Sequence, residues 1–494
     1  MQCCRCFRFR TSTVAAALAL AIGWFACGSA LAEGSRADQD YAFFLTTDYW
    51  SAAEYGTIEI EPPRDVWISP QTPSTDAVAH YDYGEDMVFI VNRYLADNIQ
   101  LVDPNQSFAT TGQYSVGNGS NPHDIRVASS EKAYVSRFEW KTLLIVNPYT
   151  GAILDSIDLS PVADGDGIPE MDRMAIVDGK LFVTLNSINH TTWLPDGPGK
   201  VAVIDVAADT LVDTDPGAAG VQAITLELEN PYTEIRFDPT RQQLIVGCLG
   251  LWSALDGGVV AIDPFALESK GVVISETSLG GDVSDALLTP DGKGYAVVMD
   301  PSPWPNNFAR LVEFDPSTGT VIDTLCQQMS GMGSSMAGME LNSQGELYLC
   351  DRDATNPRVR IYDTGTNGLL EAIDVGLPPF DIAFVQPPWY LHVVLDPEHY
   401  ARPAVALGQN YPNPFNPETA IPFDLVEGGG VRLDIYDVQG KRVVTLVDGW
   451  FPAGLHHVLW AGRNEAGVEA RAGVFFCRLR AGGQTVTRKM ILAR

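Results

Sequence analysis

The chain has 494 residues, with 62 acidic against 32 basic side chains and a formal net charge of −30. That balance excludes a nucleic-acid partner, because phosphate would be repelled, and it disfavours anionic lipid for the same reason. The length allows two or three domains with sizeable cores, and the acidity suits an exported protein, a cation-rich setting or a saline habitat.

The N-terminus comes first. Arg5, Arg8 and Arg10 precede an apolar run from Val14 through Ala26, and Ala30-Leu31-Ala32 follows with small residues where a signal peptidase reads. We assign residues 1–32 to a cleaved signal peptide and expect an exported protein, extracellular or on the outer surface, that starts near Glu33. The run is short for a membrane span. An anchor helix is one competing reading, and a lipoprotein through Cys27 is another, which Trp24 and Phe25 disfavour. No later stretch is long and apolar enough to cross a bilayer. Cys3, Cys4, Cys6 and Cys27 leave with the signal peptide. Cys248, Cys326, Cys350 and Cys477 remain, too widely spaced for a disulfide framework or a metal motif.

From Tyr41 to Val385 the chain repeats. One recurring strand is apolar and ends in Asp or Asn, often before Pro: Ile99 to Asp103, Leu144 to Asn147, Val203 to Asp205, Val260 to Asp263, Val312 to Asp315, Val359 to Asp363. A turn follows, with Thr150-Gly151 and Thr318-Gly319 as examples, and then another apolar strand. A β-rich strand precedes each, and before that stands a short strand led by an acidic residue: Asp124, Asp172, Glu234 or Asp285. Each unit thus holds four strands, and six units are complete. At the ends, Tyr41–Leu45, Thr57–Ile60 and Val66–Ile68 lack a first strand, while Phe380–Val385 is a first strand with nothing after it. Joining them completes a seventh unit and closes a ring without free sheet edges. The expected fold is all-β: a seven-bladed β-propeller over 33–385, its last blade shared between the two ends.

Asn121-Pro-His-Asp-Ile-Arg-Val127, Lys132-Ala-Tyr-Val-Ser136, Leu143-Leu-Ile-Val-Asn-Pro148 and Thr150-Gly-Ala-Ile153 resemble the YVTN/YncE-like propeller repeats. The resemblance speaks for fold; propellers host lactonases, quinoproteins, scaffolds and binders alike.

A Pro-rich linker is expected over 386–406. After it comes Leu407-Gly-Gln-Asn-Tyr-Pro-Asn-Pro-Phe-Asn-Pro417, then alternating strands at 419–425, 431–437, 443–447, 456–460, 473–479 and 485–492, the pattern of a β-sandwich. The Asn410–Pro417 run and the ending Thr487-Arg-Lys-Met-Ile-Leu492 resemble the C-terminal domain of type IX secretion substrates, an Ig-like domain akin to that of the flagellar hook-capping protein. Ala461 departs from the pattern, which places Asp there. The resemblance implies sorting by secretion machinery or docking to the cell envelope through residues 407–494; a plain Ig-like spacer is the alternative.

In a propeller, the loops into first strands and those between second and third strands open on one face. The latter hold Trp50, Trp140, Trp193, Trp252 and Trp304, with Tyr94 in an equivalent place. They are read either as an aromatic rim that stacks on a sugar or a peptide side chain, or as pins, each holding its own loop. On the same face, Asp164-Gly-Asp166-Gly-Ile-Pro-Glu170 offers Asp164, Asp166 and Glu170 as Ca²⁺ ligands, without the full EF-hand spacing; a solvated Asp-Gly turn is the alternative. Asp124, Asp172, Glu234, Asp285 and Asp381 fall near the central channel, either as a carboxylate cluster or as bonds between blades. His123 and the adjacent Asp124 are the catalytic candidates, with His123 as general base. G-x-S-x-G, H-E-x-x-H, P-loop and Rossmann motifs are absent. The leading expectation is a binding scaffold for an extracellular carbohydrate or protein, leaning away from catalysis. The alternative is a secreted lactonase-like hydrolase working at the channel mouth.

Overall fold

The computed structural model describes residues 40–493 apart from 85, 301–307, 330–335, 354, 386–404, 408–414, 416, 418, 426–427 and 452–453. The signal segment, almost all of the linker, most of the Asn410–Pro417 run and Trp304 therefore lie outside the described residues.

The protein is nearly all β, arranged in four-stranded antiparallel sheets whose strands follow one another in sequence. The strands Ala77–Asp82, Met87–Asn92, Asn98–Asp103 and Ala109–Ser115 form one such sheet. The next contains Pro122–Ser129, Lys132–Arg137, Thr142–Val146 and Ile153–Asp158. Another is built from Met171–Val177, Lys180–Leu185, Lys200–Asp205 and Thr210–Val212, with Ile224–Thr225 also paired to Lys200–Asp205. Arg236–Asp238 to Glu268–Ser275, Asp282–Leu288 to Thr320–Met329, and Met336–Leu341 to Gly368–Ile373 continue the series. The remaining sheet joins both ends: Tyr41–Thr47 lies between Ala53–Glu59 and Pro379–Val385, with Tyr41 opposite Val385 and Leu45 opposite Asp381. Hydrogen bonds rather than chain continuity thus close the series.

Burial explains the composition of each strand. Both faces of a sheet pack on neighbouring sheets, so the middle strands are apolar on both sides, and Met87–Asn92 is buried throughout. The outermost strand has solvent beyond it, so Ile153–Asp158 is exposed at all but Ile157. Between adjacent sheets the cores are continuous; Tyr134, Leu143 and Ile145 meet Met174, Leu181 and Val183. The innermost strand of each sheet contacts that of the next, or the strand beside it, and Met336–Leu341 in turn contacts Pro379–Val385. This cyclic stacking is the architecture of a β-propeller.

The repeated Asp or Asn at the end of each third strand has a local cause. Asn147 Oδ1 accepts from the Thr150 N–H at 3.0 Å, and its carbonyl accepts from the Gly151 N–H at 3.0 Å. Asp263 does the same for Ala266 at 2.8 Å and Leu267 at 2.9 Å. The side chain satisfies turn N–H groups that have no ladder partner. Gly151 adopts φ +66°, and a Cβ there would come within 2.2 Å of the Tyr114 ring, so both backbone and space call for glycine.

Toward the C-terminus, Val405–Leu407, Thr419–Leu425 and Gly454–Trp460 form one sheet, and Arg442–Phe451, Gly429–Asp437, Gly473–Ala481 and Gln484–Leu492 form another. Ile421, Phe423 and Trp460 from the first share a core with Leu433, Ile435, Cys477 and Met490 from the second. Cys248, Cys350 and Cys477 are buried free thiols, and Cys326 is a half-buried one. Among the described residues no helix is long and apolar enough to cross a membrane.

Candidate functional site

Two layers of polar and aromatic groups lie along the axis around which the sheets are arranged. The inner layer grows from the acidic residues at the first strands. Asp124 Oδ2 accepts from the Met174 N–H at 2.8 Å, Asp285 Oδ2 from Met339 N–H at 2.9 Å, and Asp381 Oδ2 from Ala79 N–H at 2.7 Å. Each bond crosses to the first strand of the neighbouring sheet, so these carboxylates join sheets. Arginines balance them. Arg126 bonds Asp124 at 2.6 Å and Glu234 at 3.2 Å, Arg173 bonds Glu234 at 2.6 Å, and Arg236 bonds Asp285 at 2.6 Å. Burial pushes the Asp124 carboxyl up to about 7, with Glu234 adding to the rise against the pull of Arg126. Burial acts upward on Asp172 too, but His123 and Arg173 outweigh it and hold that carboxyl below its ordinary value. A cavity of about 510 Å³ opens against this network, lined by His80, Arg126, Glu234, Arg236, Glu340 and Asp381 among others.

The outer layer joins the loops between second and third strands to residues at the start of first strands. His123, at the start of Pro122–Ser129, lies with its Nδ1 2.8 Å from Asp172 Oδ1. Its ring stacks on Phe138 at 4.6 Å, Phe138 on His190 at 6.2 Å, and His190 on Trp193 at 5.4 Å, with interplanar angles of 20°, 16° and 17°. Four parallel rings from two sheets thus run from the half-buried His123 to Trp193, which is 61% exposed. A second aromatic group stands at the closing sheet. The Arg352 guanidinium lies 4.3 Å over Tyr49 and 5.7 Å over Phe380, held by the carbonyls of Thr47 and Pro379.

The tryptophans differ from one another. Trp50 is 87% exposed, and Trp252, 58% exposed, meets Tyr232 edge-on at 6.3 Å. Trp140 folds back: its Nε1 donates to Gly119 O at 3.2 Å, and the Arg137 guanidinium lies 4.3 Å over its ring. Among the described residues no ring contact joins these tryptophans to one another.

In the acidic loop, Asp164 Oδ1 accepts from Asp166 N–H at 3.1 Å, and Asp166 Oδ1 from Ile168 N–H at 2.9 Å. Glu170 is fully buried, and burial, then Asp164, pushes its carboxyl up to about 9. The geometry brings Asp166 and Glu170 together with His190, while Asp164 stands beside them with a buried Oδ2 that makes no hydrogen bond. His190, Phe138 and Arg352 are the site residues that sequence reasoning passed over. His190 stands three positions before Trp193 in the same loop, which was the available signal.

No family model and no curated protein matches the chain. Solved structures do. A candidate 6-phosphogluconolactonase from Bacteroides fragilis is 14% identical over 71% of this chain and 99% of its own, with a TM-score of 0.51. A protein from Lactobacillus plantarum is 13% identical over 70% of this chain and 100% of its own, with a TM-score of 0.50. PorZ, a surface component of the type IX secretion system of Porphyromonas gingivalis, is 10% identical over 90% of this chain and 64% of its own, at a TM-score of 0.40 too low to carry an argument. At such identities the likeness concerns the propeller fold alone.

Proposed function

We propose that this protein is an exported, seven-bladed β-propeller that binds an extracellular carbohydrate or protein through its loop face. Its last blade is shared between residues 41–68 and 379–385, a reading supported by the pairing of Tyr41–Thr47 with Pro379–Val385. An Ig-like domain over 407–494, reached through the linker at 386–406, carries it to the secretion machinery or holds it to the envelope; the two sheets around one core support that domain. Under this reading, deleting residues 407–494 leaves the protein inside the outer membrane, as fractionation and immunoblotting would detect.

The observation that carries the binding function is the row of stacked rings ending in Trp193. Covering an exposed indole with a ligand removes apolar surface from water, and a ring backed by other parallel rings is pre-ordered to stack on a sugar or a planar side chain. Trp50 and Trp252 extend the exposed aromatic surface. Trp140 instead packs on the neighbouring loop at Gly117 and Gly119.

A hydrolase is the second reading, favoured by the His123–Asp172 contact, since a carboxylate that orients an imidazole is one part of a nucleophilic triad. The nucleophile is the missing part: among the described residues no hydroxyl or thiol hydrogen-bonds His123. A panel of lactones and esters separates the readings. The binding scaffold predicts no turnover by the purified protein. Turnover that His123→Ala abolishes would replace it with the hydrolase.

A further inference from the structure

We propose that Asp166, Glu170 and His190 bind a divalent first-row transition metal ion, of which Zn²⁺ is the ion to test. The proposal goes beyond the ligand reading and uses no organic ligand.

The sequence places three donors from two loops at one point. Asp166 stands in the Asp-Gly-Asp-Gly turn, Glu170 directly precedes the strand Met171–Val177, and His190 follows Lys180–Leu185. One ligand atom from each lies within 4.8 Å of the others.

Glu170 supplies the second, independent observation. Its side chain is fully buried; Oε2 accepts from Ile188 N–H at 3.2 Å, but Oε1 has no hydrogen bond. His190 Nε2 approaches that oxygen to 3.1 Å, yet it too is without a hydrogen bond. The atoms are at ion-pair distance but not in hydrogen-bond alignment, so we take them as neighbours that do not satisfy each other. A buried carboxylate oxygen is seldom left so. Two donors beside one tetrahedral metal ion, with bonds near 2.0 Å, sit roughly 3.3 Å apart, close to what is found here.

The surroundings fit. His190 Nδ1 lies 3.5 Å from Glu139 Oε2, so the ring can give its proton to that side and keep the Nε2 lone pair for a metal, the usual role of an outer carboxylate. Asp166 Oδ2 accepts from the His190 backbone N–H at 3.2 Å, which ties the two loops together. Phe138 and Trp193 hold the imidazole between parallel rings. Asp164 and Glu139 add negative charge nearby. Lys200 is occupied by the Val162 and Ala163 carbonyls. Lys141 Nζ stands near Gly167 of the same loop. One imidazole with two carboxylates is a set for Zn²⁺, Mn²⁺, Co²⁺ or Ni²⁺; Ca²⁺ and Mg²⁺ take oxygen donors.

The test is calorimetric titration of the purified full chain with Zn²⁺, after chelation and dialysis, alongside Glu170→Gln and His190→Ala. The expected result is one Zn²⁺ per chain, with affinity at least tenfold weaker in each variant, and Zn²⁺ that millimolar Ca²⁺ does not displace. Ni²⁺ in place of Zn²⁺ should quench tryptophan emission in the parent and not in His190→Ala. Thermal melts in chelator verify that the variants fold, and Asp166→Asn replaces whichever does not. The proposal is overturned by no Zn²⁺ binding, by equal affinity in parent and folded variants, or by displacement by equimolar Ca²⁺, which would point to the oxygen-only set of Asp164, Asp166 and Glu170. Failure on any of these leaves carbohydrate or protein binding at the loop face to be judged by its own assay.

Discussion

Arg137 is a buried cation that, among the described residues, pairs with no carboxylate. Its guanidinium donates to Thr142 O at 2.8 Å and Val116 O at 3.4 Å and lies beneath Trp140, and burial pushes its pKa down to about 10. It locks the loop at Val116 to the third strand of its own sheet. Arg137→Ala leaves buried carbonyls unpaired and should cost about 2–4 kcal/mol of stability in urea unfolding. Asp381 and Glu276, whose carboxyls burial pushes up to about 6 and about 7, share the sign of the pH dependence that Asp124 illustrates. The folded pKa of Asp124, about 7, lies above the roughly 3.9 of an unfolded Asp, so the folded state holds the proton more tightly. Its contribution is complete below about pH 4 and is lost as pH rises toward 7. Asp172 has the opposite sign, because its lowered pKa gives stability that is lost only as acid protonates it. Urea midpoints should therefore fall from pH 4.5 to pH 7.5, and Asp124→Asn should flatten that slope. An unchanged slope would assign the pH dependence to other groups.

The strands differ in what they can tolerate, because position within the sheet sets exposure. Phe43 lies at the centre of the closing sheet, fully buried and stacked on Tyr55 at 5.4 Å. Phe43→Ala should cost about 3–5 kcal/mol, whereas Ile153→Ala on an exposed outer strand should change stability by less than about 0.5 kcal/mol. Denaturant midpoints of the two variants check the contrast. Much of this was legible in the sequence, since short apolar runs closed by Asp- or Asn-led turns are local signals with local causes. The closing sheet was legible because incomplete sets of strands stood at both ends. The acidic first-strand residues were legible as a class, but their two readings were not separable until bonds such as Asp381 to Ala79 could be seen across 302 positions of sequence. One first strand begins at Arg236 and not at Glu234 because the N–H groups of Tyr232 and Thr233 both turn to Gly247 O, an irregularity no residue pattern announces. The ring stack was illegible for a related reason. His123, Phe138 and His190 come from three separate places, and only the loop paths bring them together.

At the scale of the molecule, chemistry is unevenly placed. The sheets contribute a closed apolar frame, the arginine–carboxylate network fills its axis, and the exposed aromatic rings gather in the loops between second and third strands. The chain carries a formal net charge of −30, so a partner drawn by aromatic stacking rather than by anionic charge is the one it suits. The most direct test of that account is binding of the purified protein to an array of glycans and extracellular peptides, with a Trp193→Ala/Trp252→Ala variant measured beside it. Both side chains are more than half exposed, so the variant should melt within a few degrees of the parent. The account predicts a discrete set of ligands bound by the parent and at least tenfold weaker binding by the variant. Equal binding by the two proteins would contradict it, and would move the functional surface away from the aromatic loops.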